Sequence, residues 1–506
     1  MTKLLLTTAL LALLTHGSFG QVTKPETYRP QYHFSPKAHW MNDPNGMVYW
    51  KGTYHLFFQY YPDGTTWGPM HWGHATSKDM VRWQEQPIAL YPDSLGWIFS
   101  GSAVVDVNNT SGFGKDGQTP MVAIFTHHNS KMEKQKSDKF QYQSLAYSLD
   151  EGKTWTKYAG NPVLPNPGIV DFRDPKVRWN EQAKKWIMTL ATKDRITFYS
   201  SPNLKNWTKE SEFGHDLGAH GGVWECPDLF PLDYNGKKAW VLLVSINPGG
   251  PNGGSATQYF VGDFNGKTFT PYSKATKWMD YGTDNYAGVT FANTGNRTIL
   301  MGWMSNWQYA NVVPTDPWRS ANTVPRTLGL REVNKELFLT SVPVKELDIL
   351  KGETVPMKNL TVKGEYDLTP KTKNETGLFK LDLTTQNATD FSIVLANEQG
   401  NELVIGYDKA ANTYYIDRSR SGKVDFEKGF GKRHTAPRLA VDGKISLSLL
   451  IDVASVELFA DNGLPVMTDI FFPDKPMSKL SIKSTTGISI SSLTYTKMAS
   501  AVQGGL

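Results

Sequence analysis

Ser77-Lys78-Asp79-Met80-Val81-Arg82-Trp83 is the stretch on which the fold turns, because it returns along the chain. Ser201-Pro202-Asn203-Leu204-Lys205-Asn206-Trp207 is a near copy. Ser148-Leu149-Asp150-Glu151-Gly152-Lys153-Thr154-Trp155 is one residue longer, and Gly262-Asp263-Phe264-Asn265-Gly266-Lys267-Thr268-Phe269 is a looser version. Each joins a polar turn to a closing aromatic. The aromatics recur at roughly 50 to 70 residues, the interval expected of four-stranded propeller blades with decorated loops. Unrelated surface turns are the competing reading of the same repeat. Around these turns helical periodicity is almost absent. Short apolar or alternating runs, punctuated by Gly and Pro, predict strands throughout and an all-β chain. Segments 47–50 and 53–60 flank Lys51-Gly52, which reads as a tight hairpin. A long alternating run over 445–460 ends at Asp461-Asn462-Gly463, a second hairpin cue.

At 506 residues the chain suits two or three domains. Lys3, an apolar run over 4–14 and the small residues Ser18-Phe19-Gly20 predict a signal peptide over 1–20, cut before Gln21, so the protein is expected to be secreted or periplasmic. That run is too short to span a bilayer. The single cysteine, Cys226, excludes an intramolecular disulfide and a cysteine-based zinc site. A net charge of +5, with Lys and Arg scattered among acids, argues against nucleic acid as a partner.

Three short carboxylate-bearing segments stand out: Trp40-Met41-Asn42-Asp43-Pro44-Asn45-Gly46, Phe172-Arg173-Asp174-Pro175 and Trp224-Glu225-Cys226-Pro227. Each sets an acid beside a proline, which fixes the backbone, and near an aromatic that screens it from water. Breaking a glycosidic bond needs such a set: one carboxylate to attack or to activate water, and one protonated acid to release the leaving group. A third acid would hold the sugar. Taken alone, Asp43 in Asp-Pro-Asn-Gly would be a type I turn residue, and Glu225 a salt-bridged strand glutamate. Their spacing rules out a shared helix or hairpin, so only a closed fold brings the acids together. Cys226 is expected to point away from Glu225 by strand alternation and to be a packing residue, not a nucleophile.

With Phe99-Ser100-Gly101-Ser102 between the first two, these segments resemble the signature of glycoside hydrolase family 32, most strongly the levanases and exo-inulinases within it. The resemblance extends from about Tyr28 to about Tyr495. It implies a five-bladed β-propeller over 28–335, a connector over 336–358 and a C-terminal β-sandwich over 359–498. It makes Asp43 the nucleophile, Glu225 the acid/base and Asp174 the transition-state stabiliser. Trp224 and the charges on Asp43 and Asp174 are expected to keep the Glu225 proton in place near neutral pH. Asn42, Gln59, Trp67, Phe99, Ser100, Arg173, Asp284, Trp303 and Trp318 would contact the sugar. Arg173 and Asp174 are adjacent, so placing both at the site implies a turn or bulge there. Segment 126–143, with His127 and His128, reads as a polar rim loop and not as a metal site.

The implied reaction is retaining hydrolysis that frees terminal fructose from levan, inulin or sucrose, with no metal or organic cofactor. An endo-acting levanase and a fructosyltransferase would use the same three acids. A fructan-binding protein is the non-enzymatic alternative, although a binder has no need of a proton donor.

Overall fold

The computed structural model describes residues 26–502, so the expected signal peptide lies outside the described residues. The chain is all-β: a five-bladed propeller followed by a β-sandwich. Blade 1 runs outward through strands His39–Trp50, Thr53–Tyr61, His71–Ser77 and Gln84–Leu90. The innermost strands of blades 2 to 5 are Trp97–Val105, Phe172–Asn180, Val223–Tyr234 and Tyr286–Thr290. They neighbour one another in a ring that closes from blade 5 onto blade 1. Trp318–Arg319 seals the ring by pairing parallel to His39 and Trp40.

The repeated turn has one place in the architecture, between the third and fourth strands of blades 1 to 4. Its Asp or Asn folds the backbone by accepting from amides further on. Asp79 Oδ1 takes Val81 N at 2.9 Å and Arg82 N at 2.8 Å, and Asn203 Oδ1 takes Lys205 N at 3.1 Å. The aromatic that follows packs between blades, as Trp155 does edge-on to Phe57. Lys51 and Gly52 both have positive φ, as a two-residue hairpin demands.

Each innermost strand is broken at one level by a bulge in which two residues oppose one. The pairs are Asn42-Asp43, Phe99-Ser100, Asp174-Pro175, Cys226-Pro227 and Ala287-Gly288. A bulge bends its strand and breaks the strict alternation of side chains. Asp174, Cys226 and Ala287 take φ of +64°, +44° and +52° to make it. Asp43 therefore lies within a strand and not in the type I turn that Asp-Pro-Asn-Gly suggested; Gly46, at φ +57°, belongs to a second irregularity of the same strand.

The segment expected as a connector, 336–358, is ordered structure. Glu336–Pro343 is the outer strand of blade 5, Lys345–Leu350 a 3-10 helix, and Lys351–Asp367 the first strand of the sandwich. Pro356 is tolerated there because that strand is an edge, paired only with Lys479–Met498. The sandwich core gathers Leu381, Leu383, Ile393, Ile405, Leu449 and Leu458, all buried. The run over 445–460 is two strands, Ser446–Asp452 and Ser455–Ala460.

Candidate active site

Residues of three of these bulges, Asn42-Asp43, Phe99-Ser100 and Asp174, line a cavity of about 300 Å³. Asn42, Asp43, Gln59, Trp67, Phe99, Ser100, Arg173, Asp174 and Glu225 all line it. Thus the three acids, from blades 1, 3 and 4, share one space. The bulge puts both Arg173 and Asp174 there, as expected of two neighbours at one site.

Ser100 Oγ donates to Asp43 Oδ2 at 2.7 Å, and Asn42 Nδ2 donates to Asp43 Oδ1 at 3.0 Å. Asn42 is itself set by Trp40 Nε1, which donates to its Oδ1 at 2.7 Å. Burial and the Glu225 charge push the Asp43 carboxyl above its ordinary value, against these donors. Asp174 Oδ2 accepts the Cys226 N–H at 2.9 Å. Burial, with Glu225 and Asp43 adding to it, pushes Asp174 up to about 7 despite neighbouring Arg173. Arg173 Nη2 donates to Glu225 Oε1 at 2.9 Å, and the Tyr286 hydroxyl donates to Glu225 Oε2. Arg173 also pairs with Asp171. Burial disfavours its charge, but Glu225, Asp171 and Asp174 hold it firmly protonated. Gln59 Nε2 is buried without an acceptor among the described residues, a donor left for a ligand.

Several expectations need correction. Cys226 does not point away: its Sγ lies 3.4 Å from Asp43 Oδ2 and 3.5 Å from Asp174 Oδ2. The bulge at Cys226-Pro227 cancels the alternation on which that expectation rested. Burial and the three acids still push the thiol pKa well up, so no thiolate forms. Trp224 does not shield Glu225. It is buried on the other side of the strand, stacked on His220 with Nε1 donating to Ala219 O. Asp284 is not at the cavity: it is wholly buried at the seam with the sandwich, 2.6 Å from Arg418 Nη1. Trp318 is absent from the wall because its strand closes the propeller; it lies under Arg29, 4.7 Å from the guanidinium. Trp303 is one layer below, fully buried, with Nε1 donating to Met41 O at 3.1 Å.

Trp307, four residues beyond Trp303, does reach the cavity, over Trp40 at 5.9 Å. Only its membership of an aromatic-rich segment hinted at this, and Tyr286 gave no hint at all. The expected rim loop 126–143 is mostly regular: the strand Met121–His128, a short helix Ser130–Lys134 and the strand Gln141–Ser148. His128, Glu133, Phe140 and Gln141 line the cavity from it. His128 stacks on Phe99 at 4.3 Å and pairs with Glu133 at 3.0 Å, while His127 bonds Ser144 Oγ at 2.7 Å.

A propeller whose axial mouth gathers three acids, an arginine and aromatic walls is the architecture of a carbohydrate-cleaving enzyme. Residues 33–341 match the Glycosyl hydrolases family 32 N-terminal domain and residues 346–497 match Glycosyl hydrolases family 32 C terminal; the chain belongs to glycoside hydrolase family 32 and is a glycosidase. It is 48% identical to the levanase of Bacillus subtilis (strain 168) over 98% of this chain and 73% of that one. With the extracellular exo-inulinase inuE of Aspergillus ficuum the identity is 42%, over 91% and 93%. The crystal structure of exo-inulinase from Aspergillus awamori superposes with a TM-score of 0.86 at 39% identity, over 94% of this chain and 99% of that one.

Proposed function

We propose that this chain is an exported, retaining β-D-fructofuranosidase that removes terminal fructose from levan or inulin, and also from sucrose. The observation that carries the reading is the convergence of Asp43, Asp174 and Glu225, from three blades, on one small cavity rimmed by Trp67 and Trp307. The relatives named levanase and exo-inulinase supply the sugar class. Export rests on the N-terminal sequence and on the relatives named extracellular. Among the described residues no helix is long and apolar enough to cross a membrane.

Asp43, gripped by Ser100 and Asn42, attacks the anomeric carbon of the terminal fructosyl unit while the bond to the leaving oxygen breaks. Glu225 donates its proton to that oxygen, then takes one from the water that releases fructose from Asp43. Arg173 and Tyr286 fix the direction in which Glu225 presents its oxygens. Asp174 takes two sugar hydroxyls and balances positive charge at the anomeric carbon. Glu225 must carry a proton when the glycosidic bond breaks, and Arg173 and Tyr286 are the groups that touch its oxygens.

NMR of the first product tests the mechanism: β-fructofuranose emerging first is expected, and α-fructofuranose would overturn retention. A product time course on levan, inulin and sucrose tests the rest. Free fructose alone from the earliest points is expected. Early oligosaccharides would mean endo cleavage, products longer than sucrose would mean transfer, and no products would mean a binding protein.

A further inference from the structure

Two of the aromatics at the cavity, Trp307 and Trp67, are tied to a single loop, 306–311, while their rings also pack on Trp40 and Trp303 and on Trp97 and Phe99 respectively. Trp307 is part of it, and the Trp67 backbone N–H donates to Asn311 Oδ1 at 3.0 Å. The loop folds on itself, with Tyr309 N and Ala310 N donating to Asn306 O at 3.1 and 2.9 Å. Its start is tied to the propeller: Asn306 Nδ2 donates to Thr283 O at 2.8 Å. Its middle is held from both domains, with Thr283 Oγ1 of the propeller 2.9 Å from the Tyr309 hydroxyl. The Tyr309 hydroxyl donates to Asp284 Oδ1 at 2.6 Å and accepts from Arg418 Nη2 at 2.9 Å. Arg418 belongs to the sandwich strand Thr413–Arg420 and is wholly buried. Its Nη1 donates to Asp284 Oδ2 at 2.6 Å, and Nε donates to Phe430 O at 2.8 Å. The Phe430 ring lies 3.9 Å from the guanidinium and meets Tyr309 edge-on at 5.1 Å.

We propose that Arg418, acting through Tyr309 and Asp284, is a positioning residue for Trp307 and Trp67, so that the sandwich sets how tightly the propeller's pocket holds its sugar. The inference rests on reading the cavity as the fructosyl site. Removing a buried arginine leaves the Asp284 charge without its partner, and the sandwich's share of the grip on Tyr309 goes with it. Aromatic walls touch the sugar before and during bond cleavage, so their displacement is felt mainly in KM.

The test is steady-state kinetics on sucrose with melting temperatures for Tyr309→Phe, Arg418→Met, Arg418→Lys and, as an interface control, Glu457→Gln. Glu457 is equally buried at the same seam but is bound to Arg326 and His33, not to the loop. Tyr309→Phe keeps the ring and is expected to raise KM roughly fivefold or more, with a smaller change in kcat, and Arg418→Met to raise it further. Arg418→Lys should rescue only in part, because an ammonium lacks the planar fork that spans Asp284 and Tyr309. Glu457→Gln should lower the melting temperature and leave KM unchanged. A folded Tyr309→Phe with wild-type KM overturns the proposal; so does a Glu457→Gln that raises KM as much. If Arg418→Met does not fold, Tyr309→Phe decides. Should the wild-type protein hydrolyse no fructoside, the functional reading falls, a result separate from either of these.

Discussion

At the propeller axis, Asp171, Asp174 and Glu225 surround Arg173 and share a cavity with Asp43; at the seam between the domains, Asp280, Asp284, Glu457 and Asp469 are met by Arg326, Arg418, His33 and His434. The residue types are alike, but the seam is the more deeply buried. Although burial raises Asp284 there as it raises the axial acids, Glu457 and Asp174 end at opposite extremes. At the seam, burial alone would raise Glu457, but Arg326 and His33 win and hold it at about 2. At the axis, burial and mutual repulsion win and carry Asp174 to about 7. Paired acids fasten domains; under-paired acids hold and move protons. Asp43 and Asp174 sit on bulges and Glu225 directly precedes one, with left-handed backbone at Asp174 and Cys226, so the site is strained as well as under-compensated.

The largest expected effect comes from the axis. Glu225→Gln keeps the shape and removes the proton, and kcat should fall by about 10²- to 10⁴-fold with fructose binding retained. Wild-type turnover in that variant would remove Glu225 from its role. At the seam, Arg326→Met takes the guanidinium from between Asp280 and Glu457 and leaves Glu457 only His33 as its cation, an expected loss of about 3–5 kcal/mol in denaturant unfolding. A loss below about 1 kcal/mol, the range of exposed pairs, would show that the seam is not the well-compensated half of the contrast.

His33 sharpens the same comparison through pH. It lies between Asp452 Oδ2 and Glu457 Oε1, 2.7 Å from each. Burial opposes its charge, but the two acids hold its pKa at about 9. A raised value in the fold means that its contribution is complete below about 6.5 and is lost as pH rises through about 9. His33→Gln should therefore cost up to about 3 kcal/mol at pH 6 and much less at pH 10. Melting curves of both proteins across that range check it; a difference independent of pH would make His33 a packing residue only.

What the sequence made legible follows the same division. The repeat marked blades 1 to 4 because its Asx turn is local chemistry: Asp79 or Asn203 needs only the amides two or three residues ahead. Blade 5 turns from its third to its fourth strand at Asn334-Lys335, so the repeat alone could not count five. The three acids were legible because proline and aromatic neighbours mark them. Side-chain direction was not. Cys226 faces the acids because Cys226-Pro227 is bulged, and no alternation rule foresees a bulge. Trp303 and Trp307 share one segment, yet one is core and the other wall, since the strand ends at Met304 and the loop turns Trp307 outward. Asp284 was read as a sugar contact because its partner, Arg418, lies 134 residues away in the other domain. Long-range pairing of that kind leaves no local trace.

The smallest expected effect on stability is also the one that separates the two clusters most directly. Asp174 has φ +64°, a conformation that Asn tolerates well, so Asp174→Asn should keep the bulge and still accept the Cys226 N–H through its carbonyl oxygen. Its carboxyl is raised from 3.8 to about 7. The fold therefore favours the protonated acid: stability tied to it is full below about pH 4 and is lost as pH rises through about 7. Asparagine is never ionised and escapes that loss. Asp174→Asn is expected to match wild type near pH 4 and to be more stable by about 1–3 kcal/mol at pH 8, while its turnover collapses. The corresponding change at the seam, Glu457→Gln, must go the other way, because its pKa is depressed and its charge stabilises at neutral pH. Thermal unfolding of the pair at pH 4 and pH 8 decides the matter: if both variants shift in the same direction at pH 8, the axial acids are structural pairs like those at the seam.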